Sequence, residues 1–573
     1  MKKRMLCLFL CCALLLPLWG CAQANVNEET GGPTESASTE SAAPSADSQT
    51  ETETETETES ETEPPAPKTA QILTKTLYLF EGQSFPLNYV ARDPSGEVDF
   101  EISTDCVTVA DGNVTAIKEG HAVISAGEDS SCSVKILSRE MPELYVFVDG
   151  KKINSKEEYV ACQVSVTTKS EEYTFLSEPA GIRLRGNSTA TQPKKPYRIK
   201  FDSKVNLLGM NDGAECKSWV LLAEWYDDSL IRNTLALSLA GSMLDEYSSD
   251  WRYVKLYIDG ECKGVYVLAE QSQINKYRID IEEAGADTAA LRSGYFYEVE
   301  GSKVDNGKFF ISYEDLGITT FLGNPYTVQS TDVQTDGQRR WGYFLELKND
   351  DVSEEQRDYA EKYAQNIFKL IYEATYKDTY YEMDDALNLH RRTDITAEEA
   401  ITKAVDIDSM ARMYIYLEAV CNFDAFKKSS YFYVDFSEEG TGKLTFACPW
   451  DHDRAFVKDW SNIDFEEVDE YYTAEKSVLY VMMMNHEFFR ERVSEVWVGT
   501  MTNSDEFRNS IEIIRDASLV YQTYFAEEAE LWDRNDRPNQ NKQRDWAEKT
   551  CDWLEARIEW LDEQFRAMGQ KTS

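Results

Sequence analysis

The sequence predicts an α+β protein, with strands dominating the first half of the folded chain and helices the second. Short alternating apolar runs separated by Gly, Asp, Asn and Ser fill residues 71–138. Strand–turn–strand pairs follow in AGIRLRGNSTATQPKKPYRIKFD and VKLYIDGECKGVYVLAEQ. From Ser353 onward apolar residues recur at helical spacing. A chain of 573 residues is too long for one ordinary core, so more than one folded unit is expected.

The first twenty residues stand apart. MKKR supplies positive charge, and MLCLFLCCALLLPLW is an apolar run too short for a comfortable membrane span. It ends in Leu18-Trp19-Gly20-Cys21, which resembles the lipobox of bacterial lipoproteins. That resemblance implies a signal peptide over 1–20, lipidation of Cys21, and a lipid anchor on the extracellular face of a bacterial membrane. Residues 21–70 form a linker of acids, Ser, Thr, Ala and Pro, including TETETETETESETEPPAP. It lacks the apolar residues needed to offset chain entropy, and its charge favours an extended tether.

The runs in 71–138 read as a small antiparallel sandwich. GNVTAIKEGHAVISA resembles bacterial immunoglobulin-like repeats of the group-2 type, which implies a spacer or weak binding module without chemistry of its own. Eight cysteines follow Cys21 and none forms a CxxC pair, so a zinc knuckle is not expected. Outside the cell cysteines can pair, and Cys106 with Cys132, both inside the sandwich, is the one disulfide expected; buried thiols are expected elsewhere.

Charge and missing motifs exclude several functions. A net charge of −44 argues against nucleic acid or an anionic membrane surface as the main partner and favours a basic polypeptide or a metal-complexed phosphate. There are four histidines and no HExxH, GxSxG, GxxxxGK[ST] or GxGxxG. The chemistry left to residues 140–568 is that of carboxylates, lysines and arginines.

Those residues concentrate in two places. DSMARMYIYLEAVC places Met410, Met413, Tyr414, Leu417 and Cys421 on one helical stripe. It runs into the polar loop NFDAFKKSS, then a hairpin of YFYVDF and KLTFAC, then Trp450-Asp451-His452-Asp453. If that stretch is extended, Asp451 and Asp453 face the same way and need a positive partner. The order suits phosphoryl transfer: Asp424 accepts the proton of an attacking hydroxyl, Lys427 neutralises the moving phosphoryl group, and Asp451 holds Mg²⁺ (or Mn²⁺) on ATP. Upstream, the turn of Gly186, Asn187 and Ser188 offers backbone amides to an anion. Arg198 and Lys200 share one side of the next strand, and Lys200 is placed to reach phosphates.

RLRGNST, KKPYRIKF, WVLLAEWYDDSLIRN, VKLYIDGECKGVYVLAEQ, NFDAFKKSSYFYVD and CPWDHD together resemble the CotH kinase family, whose members are atypical secretory-type protein kinases. The resemblance implies a divergent two-lobed protein-kinase-like fold, ATP and Mg²⁺, and transfer to Ser or Thr of protein substrates. Asp424 matches the catalytic-loop aspartate and Asp451 the metal-binding one. Ser429 stands where ordinary kinases place a metal-binding Asn, and no DFG is present. Asp453 is a further metal candidate, with pairing to Arg454 or Lys458 as the other reading. Arg185 is read as nucleotide-binding or as part of an ion pair. Glu270, Glu224 and Asp228 are the alternatives for an acidic partner of Lys200, with Glu270 placed in the nucleotide site. Asp228 and Arg232 have the spacing of a helix salt bridge.

The remaining segments read as scaffold. Ser353 and Gln356 form a capping box. Gly260 and Gly264 mark a hairpin turn. The last helix stripes Leu554, Ile558, Leu561 and Phe565, and Trp546, Trp553 and Trp560 form a ridge expected to pack against the lobe. Two functions follow from these readings: a surface-tethered protein kinase acting on basic, Ser-rich polypeptides, or a non-catalytic surface-binding lipoprotein on the same body.

Overall fold

The computed structural model describes residues 68–570 except 93, 301–307, 313–315, 327–332, 336–337, 341, 427, 459–463, 502–503 and 534–541. Cys21, the signal peptide, the linker up to residue 67 and Lys427 lie outside the described residues. Strands and helices are mixed through the rest, as an α+β class requires.

Alternation builds the N-terminal module. Thr76–Phe80, Ser131–Leu137, Gly120–Ser125 and Glu101–Ile102 form one sheet in that order; Ser84–Pro86, Asn113–Ala116 and Val107–Ala110 form a second. Leu77, Leu79, Phe85, Val114, Ala122, Ile124, Val134 and Ile136 fill the core. One pairing departs from the antiparallel expectation: Thr76–Phe80 runs parallel to Ser131–Leu137. Cys106 and Cys132 are buried free thiols, so the suggested disulfide is absent.

The spacer expectation is also corrected. Every residue of Thr76–Phe80 is buried. Leu77 and Leu79 face the module's own core, while Tyr78 and Phe80 enter the large core of the main body. The Tyr78 ring stacks on Trp251 with centroids 5.5 Å apart, and Phe80 meets Tyr521 edge-on. The Thr76 amide donates to Glu506 Oε1 (2.7 Å) and the Tyr78 amide to Asn509 Oδ1 (2.8 Å). These are bonds of an integrated wall, because an amide buried in a loose contact would be left unpaired.

A closed seven-stranded barrel follows, which the strand-rich pattern did not announce. Closure comes from a parallel pairing of Glu143–Phe147 with Trp251–Ile258, while the other pairs around the barrel are antiparallel. In Tyr197–Val205 the expected alternation holds: Tyr197, Ile199 and Phe201 are buried, and Arg198 and Lys200 point outward. Gly260 sits in the hairpin turn at φ 79°. Gly264 lies beyond it within a strand, at φ 89°, where a Cβ would strike the Glu528 carboxylate. Glu528 accepts the Val265 amide (2.9 Å) and pairs with the fully buried Lys194 (2.8 Å), tying a C-terminal helix to the barrel.

The helix Arg232–Met243 runs between the two regions. The Thr76 hydroxyl donates to Gly241 O near its C-terminal end (3.2 Å), and its first turn reaches the site described below. Its Arg232 Nε lies 3.5 Å from Asp227 Oδ1. Beyond the barrel, Gly294–Glu300, Ser430–Asp435 and Thr445–Ala447 belong to a five-stranded sheet packed on Ile407–Val420 and Glu354–Tyr376. Asp406 caps the first of these helices, and the expected Ser353–Gln356 box caps the second. The final helix, Lys542–Met568, buries Leu554, Ile558, Leu561 and Phe565. Its Trp553 indole donates to Glu466 O (2.7 Å), as packing of the ridge requires.

Because Tyr78 belongs to the main core, Tyr78→Ala should lower unfolding free energy by about 3 kcal/mol in denaturant titration. A loss under about 0.5 kcal/mol, as for an exposed residue, would show a loosely attached module.

Candidate functional site

The helix Ile407–Val420 ends at Cys421, whose left-handed backbone (φ 46°) turns the chain into the loop. Asn422 then holds the two key segments together. Its Oδ1 accepts the Asp424 amide (3.1 Å) and its Nδ2 donates to Asp451 O (3.0 Å). Asp424 lies in the 3₁₀ turn Phe423–Phe426, and the hairpin returns the chain to Trp450 as its sequence suggested.

The expected extended backbone at Asp451 is not what brings the acids together. Asp451 and Ser429 are left-handed, at φ 59° and 58°. Non-glycine residues held there carry strain of about 1 kcal/mol or more, which surrounding contacts must offset. Between the aspartates, His452 is buried: its amide donates to Asn233 Oδ1 (3.0 Å), and its Nε2 lies 2.7 Å from the Tyr416 hydroxyl. Burial lowers its pKa to about 4, so the ring is neutral at pH 7. With His452 anchored inward, Asp451 and Asp453 both line a cleft of about 290 Å³ together with Asp424.

Each acid has a different partner. Lys428 Nζ lies 3.2 Å from Asp424 Oδ2 and 3.4 Å from Asp451 Oδ2. The Ser429 hydroxyl donates to Asp451 Oδ2 (3.1 Å). Asn233 Nδ2 donates to Asp453 Oδ1 and to Glu224 Oε1, both at 2.9 Å, and Arg232 Nη1 donates to Asp453 O (2.8 Å). Burial raises the Asp453 carboxyl to about 7, with repulsion from Asp451 adding to it and the Asn233 bond opposing it. Burial also raises Asp424, against the pull of Lys428.

The same cleft is lined by Arg183, Arg185, Arg198 and the Gly186-Asn187-Ser188 turn, with Glu298, Glu300 and Lys348 beside them. Arg185 lies over the Trp450 ring (5.2 Å). The predicted Arg185, Gly186, Asn187, Ser188, Asp424, Ser429, Asp451 and Asp453 thus share one cleft. Lys200 does not: it is exposed and lies outside the cleft lining, whereas Arg198, two residues earlier on the same strand face, lines it. Glu270 does not either: it is fully buried and bound to Arg278 Nε (3.0 Å) and Asn211 Nδ2 (3.0 Å). Of the acidic alternatives only Glu224 reaches the cleft. Asn233 and Lys428 were missed, though the IRN and FKKSS runs contain them. Arg183 was missed because nothing in RLRGNST distinguishes its two arginines.

The CotH kinase protein family model matches residues 182–561, more than half of the chain. The chain belongs to this family. A comparison with curated proteins finds no match. Membership in a CotH kinase family implies ATP and a divalent cation, and the residues present fit that demand. Among the described residues no three His, Cys, Asp or Glu side chains form a metal cluster. Mg²⁺ on a nucleotide needs only one or two carboxylates besides phosphate oxygens, and Asp451, Asp453 and Ser429 supply hard oxygen donors.

The Asp453 shift sets a pH dependence. An unfolded Asp titrates near 3.9, so from about pH 4 to 7 the folded state holds more protons and stability falls as pH rises. Asp453→Asn keeps an acceptor for Asn233 and removes this loss. In chelator at pH 8 it should be the more stable protein by about 2 kcal/mol, with a flatter pH profile between 4 and 7. An equal slope in both proteins would reject the raised carboxyl.

Proposed function

We propose that this chain is a surface-tethered, Mg²⁺-dependent protein kinase that transfers the terminal phosphoryl group of ATP to Ser or Thr of protein substrates. The observation that supports it is the convergence of Asp424 from the loop and of Asp451 and Asp453 from beyond the hairpin on one cleft with a cationic facing wall. On this reading the main body is a divergent two-lobed kinase-like fold, with the barrel as the strand-rich part. The lipidated Cys21 and the acidic linker hold it at the extracellular face of the membrane, and the N-terminal module is of the bacterial immunoglobulin-like type.

The roles follow from the contacts. Asp424, buried and fixed through its amide to Asn422, takes the proton of the acceptor hydroxyl as that oxygen attacks the terminal phosphorus. The bond from phosphorus to the bridging oxygen breaks and ADP leaves. Lys428, between Asp424 and Asp451, keeps the two carboxylates from repelling each other. Lys427, the neighbour of Lys428 in the sequence, neutralises the moving phosphoryl group on this reading. Asp451 and Asp453, oriented by Ser429 and Asn233, would hold the divalent cation. When bound, that cation offsets phosphate charge. The chain's net charge of −44 favours basic, Ser-rich acceptors.

Two substitutions separate the roles. Asp424→Asn should lower turnover by a hundredfold or more while leaving Mg·ATP affinity within about twofold. Asp451→Asn should abolish both. Phosphotransfer and nucleotide titration on the two variants check this. Normal turnover by folded Asp424→Asn protein would reject the kinase reading, and Mg·ATP binding without transfer to any basic acceptor would favour a non-catalytic binding lipoprotein.

A further inference from the structure

The wall opposite the acids has a peculiarity of its own. Arg183 and Arg198 are directly paired residues on adjacent antiparallel strands, Phe175–Leu184 and Tyr197–Val205. Like charges directly opposite each other destabilise a sheet. Among the described residues neither arginine, nor Arg185 two positions further along, forms a salt bridge with a carboxylate. Arg183 lies over the Tyr159 ring (5.0 Å), and Arg198 Nη2 donates to the Ser218 hydroxyl (3.3 Å). The Nε atoms of both are buried without a hydrogen-bond partner. All three arginines line the same cleft. In a chain with 103 acidic and 59 basic residues, three guanidinium groups lining one cleft with no carboxylate ion pair among the described residues are an arrangement that an anion would complete.

We propose that the Arg183–Arg198 pair, with Arg185, is a phosphate-chain subsite that binds its anion without the help of a metal. The paired guanidinium groups offer forked N–H donors to phosphate oxygens, and the bound anion cancels their mutual repulsion. This takes over the task that strand position alone assigned to Lys200. It rests on the reading of the cleft as a nucleotide site. Phosphates would then be gripped from two sides, by arginine on the barrel wall and through the aspartates opposite.

Inorganic tripolyphosphate carries the phosphate chain but no base, and in EDTA it tests this wall alone. Calorimetric titration of the protein at low ionic strength should show saturable binding. Arg183→Gln and Arg198→Gln should each weaken it about tenfold or more, and Lys200→Gln, on the same strand face but outside the cleft, should leave it unchanged. Thermal melting without anion supplies a second readout. Each arginine variant should melt at or above the wild type, because a like-charge pair has been relieved, and should lose the stabilisation tripolyphosphate gives. Absence of binding to the wild type, equal binding by the arginine variants, or equal weakening by Lys200→Gln would overturn the proposal. So would a lower melting temperature with unchanged affinity, which marks a structural pair. Loss of Mg·ATP binding in Asp451→Asn with tripolyphosphate binding intact separates failure of the metal half of the site from failure of this one.

Discussion

Asp424, Asp451 and Asp453 occupy one partly buried cleft, with Glu224 beside them, and carboxylates that close repel more strongly as water is removed. Much of the surrounding architecture answers that repulsion. Lys428 bridges two of the acids, Asn233 divides its amide between the other two, and Asn422 locks the loop to the Asp451 segment. Burial leaves Asp453 ready to hold a proton when no cation is near. On the proposed reading a divalent ion would replace that proton, and the same electrostatic tension would then underlie both metal binding and pH sensitivity.

The helix Arg232–Met243 carries this arrangement into the rest of the molecule. Its first turn holds Asp453 and the His452 backbone, its interior is buried, and its last turn meets the N-terminal module. The module shares its edge strand Thr76–Phe80 with the main core through Tyr78 and Phe80. It is therefore part of the platform on which the acids stand. A similar logic applies at the far end, where the buried Glu418–Arg557 pair (2.9 Å) and the Arg557 bonds to carbonyls of Val468 and Glu470 hold the segment beyond Asp453 against the final helix.

Local signals made much of this legible in the sequence. The capping box, the hairpin between the two aspartate segments and the Tyr197/Ile199 alternation depend on neighbours in the chain, and each stands as read. The acids that share the cleft could be singled out because their order along the chain suits a single chemistry. What could not be read depends on three-dimensional neighbours. Lys200 and Arg198 share a strand face, and only the position of the cleft decides between them. Asp451 and Asp453 share a side through a left-handed residue and an inward histidine, not through an extended strand. Closure of the barrel by a parallel pair, and Gly264 as a seat for Glu528, join segments far apart in sequence.

The central claim is that the acids and the arginine wall are two sides of one metal–nucleotide site. Anomalous diffraction from crystals soaked with Mn²⁺ and a non-hydrolysable ATP analogue tests it most directly. The account predicts a manganese peak between Asp451 and Asp453, with the phosphate chain extending toward Arg183 and Arg198. A nucleotide bound elsewhere on the chain, or a metal peak away from both aspartates, would contradict it.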